Sequence, residues 1–508
     1  MPANWMRSLS TSYRRARRKF PDEHLLLTCD IDGTVIDMRH VILAVLWAYD
    51  RAHSTSYFDR LRLSRIKVHE NQVGRLLASL DLPAGIREEV LAWYLEQRWE
   101  PDVILESHRP FPGVMEMIRW FQIQDNTSVG FITGRPERLR DVTLQSLNQL
   151  GAPYGVQIPN DLLCMNPSDW EQGVAESKVR ALDDFRQRGY HVFAYIDNEP
   201  DLIKAVARHD TTKGIRVLHA NTVFESIRTH LPQRTAHGAS YRLAQLIPGE
   251  DALPSQVQLV RKAVSNKINL RQFLASTVRW AGVDVHLDAS RSRLMLRPES
   301  FMTSLALEMA WLGPEDVVES VKKRGRGIQL DLMAGGLLVD MVLNMLTEKA
   351  LDDRDIWFNG RIEHLGQKGF RQLTERHPGA IIQCPIDFLK PLVMAAPEKA
   401  RDSLKMLRDW GIDRFSINWG QPELRRLFGT LRDWGYDVNI QDPPDLESFL
   451  QAVLLMPRSV TSDFDFPQWN RRGRPTTPPA RRGRKRRRSP SKSRVTTSRA
   501  GKVNRTKG

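Results

Sequence analysis

L-L-L-T-C-D-I-D-G-T-V, residues 25–35, is a short apolar run that stops on two aspartates and a glycine. A continuous apolar run of this length fits a strand buried on both faces of a parallel sheet. Residues two apart in a strand face the same way, so Asp30 and Asp32 leave the strand on one side. Gly33-Thr34 lets the chain turn sharply after them. In open parallel α/β sheets the ligand crevice lies beyond the carboxyl ends of the strands. Two acids are thus delivered to the place where such folds do their chemistry.

Working outward, two more apolar runs stop in the same manner. V-G-F-I-T-G-R ends on Thr133, followed by Gly134 and Arg135, and V-F-A-Y-I-D-N-E-P-D ends on Asp197 and Asp201. Between them Lys178 lies in a helix-like stretch. Taken singly each has an ordinary explanation. D-x-D-G also occurs in turns and calcium loops, Asp197–Asp201 fits a helix cap with a first-turn acid, and Lys178 fits a solvated helix position. The ordered set fits phosphoryl transfer. A carboxylate attacking a phosphate must overcome like-charge repulsion, which a divalent cation held by carboxylate oxygens offsets. A hydroxyl and an ammonium then bind the remaining phosphate oxygens, and a second carboxyl protonates the leaving group.

D-I-D-G-T-V, I-T-G-R, Lys178 and D-N-E-P-D resemble the four motifs of haloacid dehalogenase-like phosphohydrolases over roughly residues 22–230. The resemblance implies a doubly wound parallel α/β sheet and Asp30 as the nucleophile, forming an aspartyl-phosphate. It implies Asp32 as general acid/base, with Thr133 and Lys178 holding the phosphoryl group. Asp30, Asp32, Asp197 and Asp201 would form a Mg²⁺ site. Gly134 and Arg135 are further candidate phosphate contacts. The helical insert at about 40–108 would be a cap over a small phosphorylated substrate, with His40, His53 and His69 as candidate contacts.

The 508 residues are too many for one ordinary core. Residues 21–245 alternate strand-like and helix-like runs, with strands expected at Leu25–Cys29, Val129–Ile132, Val192–Ile196 and Gly214–Leu218. A polar stretch at about 232–254 marks a boundary. From 255 to 470 a second β/α alternation begins, with strands expected at Val283–Leu287, Arg293–Leu296, Gly327–Leu332, Ile356–Asn359, Ala380–Cys384, Phe415–Asn418 and Val438–Ile440. That pattern predicts a β/α (TIM-like) barrel. Its last strands, and A-G-V-D-V-H-L-D-A-S-R-S-R-L-M-L-R-P-E-S, resemble glycerophosphodiester phosphodiesterase-like barrels and their menorin-like relatives. That superfamily's Glu-x-Asp pair is replaced by His286 and Asp288, its His-Asp by Arg297-Pro298, and its first catalytic His by Arg261-Lys262. Asp288, Asp331 and His286 remain candidate ligands, and Asn359, Asn418, Trp419 and Asp463 candidate pocket residues. The expectation is a barrel that keeps the fold without that catalysis.

The net charge of +15 is concentrated at the ends. Residues 1–20 hold six Lys/Arg and residues 471–508 hold 16, neither with an acid, which leaves a mildly acidic body of 53 basic and 60 acidic residues. The first is expected to be a disordered basic arm. The tail lacks apolar residues to bury and is expected to be disordered, with non-specific affinity for nucleic acid or another polyanion. Three dispersed cysteines indicate no disulfide framework. No apolar run reaches the ~18 residues of a membrane span. A reducing, cytoplasmic setting is the expectation. Two alternatives stay open: a non-enzymatic scaffold for phosphorylated or polyanionic partners, and a bifunctional phosphodiesterase/phosphatase.

Overall fold

The computed structural model describes residues 5–83, 85–168, 173–222, 230–296, 311–463 and 469. Six strands form the first sheet: β1 (His24–Cys29), β2 (Thr127–Pro136), β3 (Leu163–Asn166), β4 (Tyr190–Asp197), β5 (Arg216–Ala220) and β6 (Ala236–Gly238). All pairings are parallel, in the order β3-β2-β1-β4-β5-β6. The order reverses beside β1, and such a switch point opens a crevice at the carboxyl ends.

Alternation along β1 explains the layers. Leu25, Leu27 and Cys29 join one apolar cluster with Val114, Ile118 and Phe121 of the helix Val114–Gln122. Leu26 turns to the other face, against Leu182, Phe185, Ile203 and Val206 of the helices Val174–Gln187 and Pro200–His209. Between β1 and β2 the insert forms the helices Arg39–His53, Val73–Ala78, Ile86–Gln97 and Pro101–Ser107, with Pro83 in the break between the second and third.

The N-terminal arm departs from expectation. Trp5–Lys19 is a helix, with Trp5, Met6, Leu9 and Tyr13 buried. Tyr13 meets Trp120, Phe121 and Phe193 edge-on or tilted, and Trp5 Nε1 donates to the Ser240 carbonyl at 2.8 Å. The basic residues occupy the remaining face, where Arg17 reaches the Asp125 and Asn126 carbonyls at 2.7 Å. An apolar stripe at helical spacing outweighs the charge.

The second sheet contains β7 (Gln258–Arg261), β8 (Trp280–Leu287), β9 (Leu294–Leu296), β10 (Gly327–Leu332), β11 (Ile356–Gly360), β12 (Ile381–Pro385), β13 (Arg414–Asn418), β14 (Asp437–Gln441) and β15 (Ser459–Ser462). Pairing runs from β10 through β15 to β7 and β8, and β8 closes on β10 to make an eight-stranded parallel barrel. The expected strand at Arg293–Leu296 is not a stave. It is β9, antiparallel to the end of β8. β7 and β15, missing from the strands read as apolar runs and indicated only by the family resemblance, complete the closure. Ile328, Leu330, Phe358, Ile382, Phe415, Ile417, Val438 and Ile440 belong to the main apolar cluster with the helices. Gln329, Gln383, Ser416, Asn439 and Thr461, at alternate positions, are buried polar residues.

The two sheets meet through side chains. Arg425 Nη2 lies 2.8 Å from the buried Glu116 carboxylate, and Glu447 accepts the Leu243 and Ala244 backbone N–H groups at 2.6 and 3.0 Å. No described helix is long and apolar enough to cross a membrane. The basic tail, and Arg297-Pro298, lie outside the described residues.

Candidate active site

β1 and β4 end side by side, with Cys29 level with Ile196, so the next residue of each strand, Asp30 and Asp197, emerges at the switch point. Lys178, from the helix Val174–Gln187, reaches between them. Its Nζ donates to Asp30 Oδ1 at 2.7 Å and to Asp197 Oδ2 at 2.8 Å. The three side chains are sealed, at 4, 3 and 0% exposure for Asp30, Lys178 and Asp197. Tyr195, two residues before Asp197 on the same side of β4, donates to Asp197 Oδ2, and the Glu199 N–H donates to its other oxygen at 2.8 Å.

Gly33, at φ +76°, makes the turn after β1. A Cβ there would strike the Asn198 amide. The Asn198 amide nitrogen faces three oxygens at once: the Asp32 carbonyl at 2.9 Å, Asp30 Oδ2 at 3.2 Å and Thr34 Oγ1 at 3.2 Å. The site residues of β2 are also in place. Thr133 is buried, and its hydroxyl accepts the Arg135 N–H at 3.2 Å. Gly134 lies against Val174 at the start of the Lys178 helix.

Arg135 is more than an accessory contact. Its guanidinium clamps Asp32 through both oxygens, at 2.8 and 2.5 Å. It donates to Thr143 Oγ1 at 3.1 Å, meets His108 Nε2 at 3.2 Å and lies 4.9 Å from the Trp99 ring centroid. Burial alone would raise the Asp32 carboxyl, but the Arg135 charge and hydrogen bonds outweigh it and hold Asp32 below the ordinary carboxylate range. His108 is pushed down to about 3 by burial and by Arg135. The Lys178 ammonium is held charged. Burial opposes this, and the Asp197 and Asp30 carboxylates overcome it. Asp30 is pushed upward by burial, against Lys178 and with the Asp197 and Asp32 charges. Three clustered carboxyl groups, Asp32 only partly buried, share two cations, so with all three ionised the cluster is short of one positive charge.

That shortage bears on whether a cation fits. Among the described residues no group of three or more His, Cys, Asp or Glu side chains is arranged around a metal. Yet Asp30 Oδ2, the Asp32 carbonyl and Thr34 Oγ1 converge on one point, the Asn198 amide nitrogen. An all-oxygen set with excess negative charge suits a hard divalent ion once Asn198 turns aside. Two expected ligands do not join. Asp201 sits in the first turn of the helix Pro200–His209, 90% exposed and 2.9 Å from Lys204. The Asp32 carboxylate is taken by Arg135, leaving only its backbone carbonyl.

Of the three candidate histidines of the insert, His69 is the one that contacts a residue beside the site, Glu199. Its Nε2 is 3.2 Å from Glu70 and 3.4 Å from Glu199. Burial would lower its pKa, but the two carboxylates push it up to about 9. Burial raises Glu70 to about 7. His40 stays beside Asp37, and His53 stacks on Tyr49.

A second cavity, of about 560 Å³, opens at the carboxyl mouth of the barrel. Asp284 and Asp331, register partners on β8 and β10, line it with Lys262, Asn359 and Asn418. Asn359 donates to Asp331, and burial and Asp284 push Asp331 up to about 8. The expected partner Asp288 lies beyond the end of β8 and binds Ser290 and Ser292 in the hairpin. His286, Trp419 and Asp463 do not line the cavity.

No protein-family model matches the chain, and no curated protein matches it. Among solved structures, an Oleispira antarctica phosphodiesterase in complex with sn-glycerol-3-phosphate shares 13% identity, over 44% of this chain and 97% of its own, at a TM-score of 0.33. A glycerophosphodiester phosphodiesterase from Parabacteroides distasonis shares 10%, over 43% and 99%, at 0.32. A haloacid dehalogenase-superfamily hydrolase from Geobacter sulfurreducens shares 12%, over 43% and 94%, at 0.29. At such scores the functional reading rests on the side chains themselves.

Proposed function

We propose that the β1–β4 site is a phosphohydrolase centre of the haloacid dehalogenase type, acting on a small phosphomonoester through an aspartyl-phosphate on Asp30. The observation that supports it is Lys178 bridging Asp30 and Asp197, all three side chains buried, at the sheet's switch point. A structural ion pair needs two partners; this cluster has an acid in excess. Asp30, the Asp32 carbonyl and Thr34 Oγ1 would hold Mg²⁺, with Asp197 beside Asp30 on the Lys178 ammonium, and the ion when bound would offset the repulsion between carboxylate and phosphate.

The chain's own residues account for the rest. Lys178 orients Asp30 for attack, opposes the upward push of burial on its carboxyl, and would face the phosphate oxygens as charge moves onto them. The Thr133 hydroxyl borders the same position. Asp32 is ionised while clamped by Arg135, so it can donate a proton to the leaving alkoxide only after Arg135 turns to the substrate phosphate and the freed carboxylate takes up a proton from solvent. The insert keeps water out, with Trp99 over Arg135 and His69 against Glu199. The barrel enters this reading as a second body without an assigned reaction.

The test is release of inorganic phosphate from a generic aryl phosphate, with Mg²⁺ present and after chelation. Activity is expected with the ion and is lost at least a thousandfold in Asp30→Asn, on the order of the effect of removing a catalytic nucleophile. Inactivity of the intact chain across a broad phosphomonoester panel would refute the assignment.

A further inference from the structure

The sheet that carries the aspartates has a second feature at its opposite end. A groove of about 720 Å³ runs along the amino ends of β4 and β5, between the N-terminal helix and residues 232–235. Arg15, Lys19, Lys213, Arg216 and Arg234 line it. Its one acidic lining residue, Asp210, is already engaged by Arg186 at 3.3 Å, Thr212 at 2.9 Å and the Ile215 N–H at 2.7 Å. Among the described residues Arg15, Lys19, Lys213 and Arg234 have no carboxylate partner, and Arg216 bonds only the Ser8 hydroxyl, at 2.8 Å. Burial and the neighbouring Arg234 charge both push the Arg216 guanidinium down. Like charges have been gathered without an internal counter-ion.

The groove is also aromatic. Phe20 and His191 stand with ring centroids 4.1 Å apart, and Lys19 Nζ lies 4.8 Å from the Phe20 centroid. Glu23 meets His191 at 3.0 Å on the rim, outside the row of cations. A backbone-tracking run of positive charge beside half-exposed rings is what single-stranded nucleic acid needs: phosphates neutralised by Lys/Arg and a base stacked on a π face. We infer that this groove binds the phosphate backbone of single-stranded nucleic acid, with one base on the Phe20–His191 pair. The site is separate from the aspartate cluster, because His191 and Asp197 lie near opposite ends of the same strand.

The experiment uses the full chain, tail included, and a labelled single-stranded oligonucleotide followed by fluorescence anisotropy across a salt series. Lys213→Gln with Arg234→Gln, both exposed, should weaken binding about tenfold at physiological salt. It should also lower the slope of log affinity against log salt by about 1.4, since each lost single-strand phosphate contact removes about 0.7. Phe20→Leu should weaken the oligonucleotide and leave inorganic polyphosphate binding unchanged. An unchanged slope in the double variant, with all binding lost on removing residues 471–508, would overturn the inference in favour of the tail. Equal binding of duplex, or of polyphosphate with the same response to Phe20→Leu, would overturn the single-strand assignment. Both variants leave the phosphatase site intact, so hydrolysis checks that they fold.

Discussion

Arg135 sets the protonation of Asp32, and this is open to a direct measurement. With the guanidinium removed, burial dominates and the Asp32 carboxyl rises from below the ordinary range. Arg135→Gln should therefore move the alkaline limb of the pH profile for kcat/KM, where the Asp32 proton is lost, to higher pH, and lower the maximum about ten- to a hundredfold as a phosphate contact is lost. An unshifted alkaline limb would show that Asp32 is not the group being followed. In the barrel mouth, burial and the facing Asp284 carboxylate push Asp331 up to about 8 in the folded chain, against about 4 when unfolded. The folded state keeps the extra proton between those values, so this group's contribution to stability declines as pH climbs from about 4 to about 8. Asp331→Asn, which mimics the protonated acid, should flatten that decline and stabilise the chain by on the order of 1–2 kcal/mol near pH 8. Chemical denaturation at several pH values measures it. At this scale the positions of Asp30 and Asp197 were legible because strand ends are local features, whereas Lys178, inside a helix, was picked out only by the order of the motifs. The position of Asp201 was not legible, because the turn begun at Pro200 carries it outward to Lys204. Asp284 was passed over for Asp288: both have the same parity along β8, and only where the strand stops separates them.

At the level of elements, the N-terminal helix was hidden by its composition. Six basic residues in the first 20 suggested a solvated arm, yet Trp5, Leu9, Tyr13 and Ala16 fall at helical spacing and cover the sheet. Leu9→Ala should cost about 2–5 kcal/mol, as for other buried leucines, with the loss read as a lower denaturation midpoint at unchanged m-value. A cost within 0.5 kcal/mol would mean the helix is detachable. The long parallel strands β1, β4, β10 and β11 could be read directly as apolar runs. The short strands β3, β6, β7 and β15 could not, because a strand of three or four residues with polar neighbours has no periodicity to read; β7 and β15 were indicated only by resemblance to a family's barrel. β15, S-V-T-S, offers one apolar residue and pairs on both sides.

For the whole molecule, the contact between the two sheets has its own energetic signature. Glu116 is buried and its carboxyl is pushed upward by burial, against the pull of Arg425. Arg425→Ala strands that carboxyl and should cost about 3–5 kcal/mol, the usual effect of breaking one side of a buried pair. Differential scanning calorimetry should then show two transitions in place of one, as the halves lose their coupling. A single transition at an unchanged temperature would show that the bridge is incidental. The pairing of a doubly wound sheet with a barrel was legible from the change of rhythm near residue 245. The side chains that join them were not, since Glu116–Arg425 and Glu447–Leu243 span some two to three hundred positions. The burial of the aspartate cluster has a kinetic corollary. With Asp30, Lys178 and Asp197 shielded by the insert and His69 tethered to Glu199, a phosphate mimic such as vanadate should show slow-onset inhibition, its association rate levelling off at high inhibitor concentration at the frequency with which that tether lets go.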